Sequence, residues 1–235
     1  MKKPKKITVK FFINTHLAPI SQNQKLVYPV YMQVTYNRKN TQIKTLYADF
    51  HANIQEFKQQ QQAVYLFEER IMQKAVAYEL SQNETDFKLR GLGEKYEIYA
   101  SSIHFLMSAY LKAKFKNYVP QLRPAVFVEL LHFDKQKIDF LTLYEACLRL
   151  FENTEKLLDP LIREEIELYK AYYNAYKAHL FEGKYTFPVV IDWLDGTHLQ
   201  ELESKVISYL GNDLAQLKKL ILFINKIVST KLEMR

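Results

Sequence analysis

Two kinds of hydrophobic periodicity run along the chain. Apolar and polar residues alternate over residues 7–14, 30–37 and 41–49, which is typical of strands with one buried face. The polar turn at residues 37–40 joins two of these segments and predicts a hairpin. From about Phe57 onwards apolar residues recur every three or four positions, which predicts amphipathic helices. We therefore predict an α+β fold: a small N-terminal three-stranded antiparallel sheet backed by a helix, followed by mostly α-helical domains.

Breaks in these patterns divide the chain into four predicted parts. A three-stranded domain occupies residues 1–58, and a helical hairpin occupies residues 59–118. A connector with two prolines follows at residues 119–138, and a four-helix domain occupies residues 139–235.

Local signals predict where several of these elements end. Residues 15–28 form a polar connection between the first two strands. The apolar positions from Tyr96 to Tyr110 follow one helical face. Asp159 is the predicted N-cap of a helix that Pro160 opens, and Asn212 is the predicted cap of the last helix.

The composition is that of an ordinary globular protein, with 48% hydrophobic and 25% charged residues. The single cysteine, Cys147, excludes a disulfide within the chain and falls on an apolar helical stripe, so we expect a buried thiol. Metal-ligand spacings and glycine-rich phosphate loops are absent from the sequence, and we expect no metal, no cofactor and no catalytic residue. The acidic pairs Glu68-Glu69 and Glu164-Glu165 are predicted to be solvated surface.

Charge is segregated along the chain. Residues 1–50 hold nine lysines and arginines against a single acid, Asp49, a net charge of +8, whereas the whole chain carries +7. Such a segregated positive potential attracts a polyanion such as nucleic acid. The start of the sequence has no apolar signal core and no long apolar run follows, so we expect no membrane partner and a cytoplasmic protein. If it binds DNA, it would associate with the nucleoid.

The N-terminal segments resemble a known family. Ile7-Thr-Val-Lys-Phe-Phe12, then Tyr28-Pro-Val-Tyr-Met-Gln-Val-Thr-Tyr-Asn37 and a basic turn, resemble the arm-type DNA-binding domain at the N terminus of tyrosine recombinases, the integrases of phages and conjugative transposons. Residues 161–170 and 191–200 are similar to that family's helical core-binding domain, and residues 212–219 look like its last helix.

The resemblance implies a DNA-binding protein of integration and recombination in a mobile element. An integrase continues into a catalytic domain with two arginines, a lysine, histidines and a nucleophilic tyrosine, and this sequence stops where that domain would begin. It would be either a catalytically empty relative or the N-terminal part of a longer protein. The resemblance also implies that C-terminal lysines contact a second DNA segment, with candidates Lys170, Lys177, Lys218 and Lys219.

The polar face of the predicted sheet is the candidate site for duplex DNA. We expect phosphate contacts from four basic residues, Lys10, Arg38, Lys39 and Lys44. Three polar residues are expected on the same face within reach of base edges, Gln33, Thr35 and Gln42. The basic arm Lys2–Lys6 would add non-specific affinity, or it is only a solubilising tail. The alternative function is a helical protein-interaction scaffold with a basic N-terminal appendage.

Overall fold

The alternating N-terminal segments form the predicted three-stranded antiparallel sheet. A computed structural model describes residues 6–83, 85, 87–122, 139–150, 154–181 and 188–233. The strands in chain order are β1 Thr8–Ile13, β2 Ile20–Gln22, β3 Lys25–Val27, β4 Val30–Tyr36 and β5 Lys39–Lys44. Strand β4 lies at the centre, between β1 and β5. The α+β class is therefore confirmed.

Two details of the strands differ from the prediction. Residues 15–28, predicted as a connection, contain a separate two-stranded ribbon of β2 and β3. Its turn residues Asn23 and Gln24 both have positive φ, 48° and 64°, as a two-residue hairpin turn requires. Strand β5 ends at Lys44 rather than at Asp49. The Thr45 N–H still donates to the Val30 carbonyl at 3.2 Å, and the two N–H groups after it bind a helix side chain, described below.

After the sheet, the described part of the chain is mostly helical. In chain order they are α1 Ile54–Gln60, α2 Gln62–Gln82, α3 Leu92–Tyr99, α4 Ile103–Leu122, α5 Phe140–Leu150, α6 Thr154–Leu157, α7 Pro160–Phe181, α8 Val190–Leu194, α9 Thr197–Val206 and α10 Leu214–Glu233. Short 3₁₀ turns lie at Leu89–Gly91 and Ile207–Leu210.

One face of the sheet is buried against α1 and α2. The buried side chains of this face are Val9, Phe11, Val30, Met32, Val34 and Ile43. The Phe11 ring lies 5.7 Å from the ring of Phe57 in α1 and 4.6 Å from that of Tyr65 in α2. Burying these apolar groups on one side leaves the alternate residues of each strand on the other side.

A buried carboxylate on α2 holds the chain where it leaves β5. Glu68 accepts hydrogen bonds from the N–H groups of Leu46 at 3.0 Å and Tyr47 at 2.7 Å, and from the Tyr96 hydroxyl at 3.0 Å. Desolvation outweighs these bonds and raises the pKa of Glu68 from 4.5 to about 7. The prediction that Glu68 is solvated is wrong, because its spacing from Val64 and Ile71 places it on the buried stripe of α2.

The chain forms two compact units, and both are discontinuous in sequence. The N-terminal unit contains the described residues of Met1–Ser101 and of Gly183–Thr197. In it, Asp192 of α8 pairs with Arg70 at 2.7 Å and Lys74 at 2.6 Å, both on α2. The Val190 N–H donates to the Ser101 carbonyl at 3.0 Å. These contacts attach residues 188–197 to the N-terminal unit.

The helical unit contains the described residues of Ser102–Glu182 and of His198–Arg235. Here too a predicted surface acid is buried: Glu165 on α7 is 6% exposed. It binds Lys114 of α4 at 2.9 Å, Lys226 of α10 at 3.1 Å and the Tyr110 hydroxyl at 3.1 Å. One carboxylate thus links three helices, and a buried charge of this kind requires such partners. The prediction of solvated surface at this position is wrong.

The units follow other boundaries than the predicted domains. The predicted hairpin 59–118 contributes to both units, and the predicted domain 139–235 contributes residues 188–197 to the N-terminal one. Most of the predicted connector 119–138 lies outside the described residues, although α4 continues to Leu122.

The observed helix ends test the capping residues that were predicted from the sequence. Asp159 caps α7 as predicted, accepting from the Leu161 N–H at 2.7 Å. The last helix is capped by Asp213, which accepts from the Ala215 N–H at 2.7 Å, and not by Asn212, whose φ is +60°. The face predicted from Tyr96 to Tyr110 is divided between α3 and α4.

The Cys147 thiol on α5 is buried, which confirms the prediction made for it. Burial raises the pKa of this thiol to about 11, so it is protonated at neutral pH.

We predict that Glu68 makes the N-terminal unit less stable as pH rises. Its folded pKa of about 7 exceeds the ordinary 4.5, so its contribution to stability is complete below pH 4.5 and is lost as pH passes 7. The loss is of the order of 3 kcal/mol in free energy of unfolding. Glu68→Gln cannot ionise; its amide oxygen can accept from the two N–H groups, and its NH₂ group can donate to the Tyr96 hydroxyl. Urea unfolding at pH 5 and pH 8 should therefore show a smaller decrease for the variant than for the wild type. Equal decreases would contradict the assignment.

Candidate nucleic-acid interface

The exposed face of the sheet carries its polar residues in rows that cross the strands. Register pairs Lys10 of β1 with Gln33 of β4, and Gln33 with Gln42 of β5. Paired residues point to the same side of a sheet, so these three side chains form one row. Lys10 and Gln42 are exposed and Gln33 is half-buried. This row is the centre of what we call the polar face.

Further rows flank the central one on both sides. Thr35 lies in the next row along β4, and its partner on β5 is Asn40. Lys44 lies in the row on the other side, opposite Tyr31. Strands are about 4.8 Å apart and alternate residues along a strand about 7 Å apart, so the polar face measures roughly 10 by 14 Å. Lys10, Gln33, Thr35, Gln42 and Lys44 therefore lie on one face, as predicted.

The hairpin turn separates the other two predicted residues from this face. Asn37 and Arg38 are the two turn residues, with φ of 49° and 64°, and Arg38 is exposed at the tip. Lys39 is paired with Tyr36, in the register of the buried residues Val34 and Ile43. The prediction that Lys39 shares the polar face is wrong: the turn has two residues rather than four, and this shifts Lys39 to the opposite side.

Positive charge on the polar face is not balanced by acids of the sheet. Strands β1, β4 and β5 contain no aspartate or glutamate. Asp49, the single acid of the first fifty residues, accepts a hydrogen bond from Gln61 at the start of α2. Lys10, Arg38 and Lys44 are all exposed and available to a polyanion.

An aromatic pair on the polar face was not predicted from the sequence. Phe12, which interrupts the alternation of β1, is paired with Tyr31 and shares the row of Lys44. The Phe12 and Tyr31 rings lie 5.9 Å apart, and both side chains are half-buried. The sequence did contain a sign of this pair: Phe11 and Phe12 are adjacent in β1, so one of the two rings must point away from the core.

A second cationic site near the hairpin was not predicted either. Lys88 directly precedes the 3₁₀ turn at Leu89–Gly91, and Arg90 lies within that turn. Both lie beside the turn end of the β4–β5 hairpin, where they line a cavity with Lys39. No periodicity signals this arrangement, because it depends on how the segment after α2 returns to the sheet.

The lysines proposed for a second DNA segment are placed differently from one another. Lys170 pairs with Glu167 at 2.6 Å and Lys219 pairs with Glu164, so both are partly neutralised. Lys177 and Lys218 are exposed.

Metal sites and membrane spans are not found within the described ranges. There, no three His, Cys, Asp or Glu side chains are grouped as metal ligands would be. Each helix in that part of the chain is too short or too polar to cross a bilayer.

Comparison of the chain with protein-family models, with curated proteins and with solved structures finds no match.

We predict that Arg38→Gly stabilises the hairpin. Arg38 has a φ of 64°, a conformation that costs a residue with a Cβ about 1 kcal/mol and costs glycine nothing. The free energy of unfolding in urea should rise by up to about 1 kcal/mol. Lys39→Gly is the matched control, because the same substitution inside β5 should lower it by about 0.5 to 1 kcal/mol. A decrease in stability of Arg38→Gly would contradict the two-residue turn.

Proposed function

We propose that this protein is a non-catalytic DNA-binding protein that binds duplex DNA through the polar face of its N-terminal sheet. The observation that carries the proposal is the row of Lys10, Gln33 and Gln42 across three strands, flanked by Lys44 and by Thr35. The row combines cations that suit phosphates with amides that suit base edges.

The size of the polar face supports a duplex as the ligand. Its width of roughly 10 Å between the outer strands is close to the major-groove width of about 12 Å. Glutamine amides donate and accept at once, and they suit the paired N6 and N7 groups of adenine. Gln42 is exposed and Gln33 is half-buried, so Gln42 is the stronger candidate for base contact.

The packing beneath the polar face supports the same function. Buried Met32 and Val34 alternate along β4 with Gln33 and Thr35, so the polar side chains stand on a packed layer. A rigid platform of this kind loses little side-chain and backbone freedom on binding. The resemblance to the arm-type domain of tyrosine recombinases points to the same function, in a mobile element and in the cytoplasm at the nucleoid.

We predict that Lys10 and Lys44 bind phosphates. Fluorescence anisotropy of a labelled duplex, titrated at several salt concentrations, gives the slope of log binding constant against log salt. Lys10→Gln/Lys44→Gln should weaken binding and reduce the magnitude of this slope by about 2, one for each phosphate that a lysine no longer neutralises. The matched control is Lys25→Gln/Lys58→Gln, which removes the same charge from exposed positions outside the three-stranded sheet.

Three results would contradict this assignment. Equal effects of the two double variants would show a response to total charge alone. Loss of binding only on deletion of residues 1–6 would assign the affinity to the basic arm. Absence of binding at low salt would overturn DNA binding, and the exposed Phe105 and Leu222 of the helical unit, 65% and 67% exposed, would then direct a search for protein partners.

We predict that Gln42 contributes sequence preference rather than phosphate affinity. Selection of bound duplexes from a random pool gives the preferred sequence of the wild type. Gln42→Ala should reduce the preference for one base pair of that sequence by about 1 to 3 kcal/mol while leaving the salt slope unchanged. A changed slope with an unchanged preference would contradict the assigned role of Gln42.

A further inference from the structure

A cavity of about 390 Å³ lies at the turn end of the β4–β5 hairpin, within the N-terminal unit. Its lining includes three cations, Lys39, Lys88 and Arg90, two aromatic rings, Tyr36 and Phe87, and two amides, Asn37 and Asn40. The volume falls within the range of about 300 to 1,000 Å³ that is common for small-molecule sites. The cavity and the polar face share only Asn40 among the lining residues named here, because Lys39 and Tyr36 are in the register of the opposite side.

The three cations of this lining form no ion pair with an acid of the described residues. Lys39, Lys88 and Arg90 are all exposed. Glu84 and Asp86 precede the segment in the sequence and lie outside the described residues. A guanidinium and two ammonium groups that converge on one cavity suit a phosphate, which accepts several charge-assisted hydrogen bonds.

The aromatic side chains add a second requirement for the ligand. The Tyr36 and Phe87 rings are 5.9 Å apart, nearly perpendicular, and half-buried at the cavity wall. Rings of this kind provide a surface on which a nucleobase stacks, and a neighbouring amide can bind the edge of the base. A simple anion would use the cations alone and leave the rings without a role.

We propose that this cavity binds a nucleoside phosphate, with the phosphate at Lys88, Arg90 and Lys39 and the base against Tyr36 and Phe87. The nucleotide comes either from a free pool or from a nucleic-acid strand, since both present the same phosphate and base. This site does not depend on the proposed DNA contact of the polar face.

The test compares three probes on the full chain by isothermal titration calorimetry: adenosine monophosphate, adenosine and inorganic phosphate. Adenosine monophosphate should bind in the millimolar range or tighter, and more tightly than either of the other two. Failure of adenosine monophosphate to bind in that range would overturn the proposal. Phosphate binding as tight as that of the nucleotide would overturn the role given to the rings.

The affinity of variants for adenosine monophosphate shows whether the nucleotide binds in this cavity. Lys88→Gln/Arg90→Gln should weaken binding of adenosine monophosphate about tenfold, near threefold for each exposed charge. The matched control Lys25→Gln/Lys58→Gln, which removes the same charge away from the cavity, should bind as the wild type does. Equal weakening in both would overturn the assignment to the cavity.

Phe87→Leu should weaken the binding of adenosine monophosphate and leave the binding of inorganic phosphate unchanged. Thermal unfolding of this variant shows whether it is folded.

The same variants distinguish the two sources and separate this proposal from DNA binding by the polar face. If Lys88→Gln/Arg90→Gln loses affinity for both the nucleotide and a single-stranded oligonucleotide, the cavity takes a nucleotide of a strand. If the variant loses affinity for adenosine monophosphate alone, the ligand is a nucleotide from the free pool. Lys10→Gln/Lys44→Gln should keep full affinity for adenosine monophosphate, and weaker binding there would overturn the independence of the two sites.

Discussion

The buried carboxylate of Glu68 is the group on which the N-terminal unit depends. It accepts from two successive backbone N–H groups just after β5 and from the Tyr96 hydroxyl of α3, so a strand exit, α2 and α3 meet at one side chain. Glu68 thus supplies the hydrogen-bond acceptor for two backbone N–H groups at the point where the chain leaves the sheet. Hydrogen bonds of this kind offset part of the cost of placing an ionisable side chain in an apolar layer.

The orientation of the sheet follows from this attachment. With β5 held at its end and Phe11 packed on Phe57 and Tyr65, one side of the sheet is committed to the helices. The alternate side chains then point away from the helices that cover the first side, and strand register aligns them across three strands. The chemistry of the polar face is thus a result of packing on the opposite side: a shift of one residue in β4 would exchange Gln33 for Met32 or Val34.

Periodicity predicted the parts of the fold that depend on neighbours in sequence. The three strands, the buried stripes of the helices and the Asp159 cap follow from spacing alone, and so does most of the polar face. The errors arise where a distant partner decides. The spacing of Glu68 places it on a buried stripe, but the partner that allows a carboxylate there, Tyr96, is far away in sequence. The partners of Glu165, Lys114 and Lys226, are equally distant. The two-residue turn that moves Lys39 to the other side depends on positive φ at Arg38, for which arginine gives no signal. The cavity could not be predicted from the sequence, because it forms only where the segment after α2 returns to the hairpin.

The return of residues 188–197 to the N-terminal unit has a consequence for synthesis of the protein. The sheet and α2 leave the ribosome early, but Asp192, the partner of Arg70 and Lys74, follows more than a hundred residues later. The side of α2 that carries Arg70 and Lys74 therefore lacks its partner in the nascent chain until residues 188–197 have been translated. This return also means that a fragment ending at Ser101 would lack part of its own core.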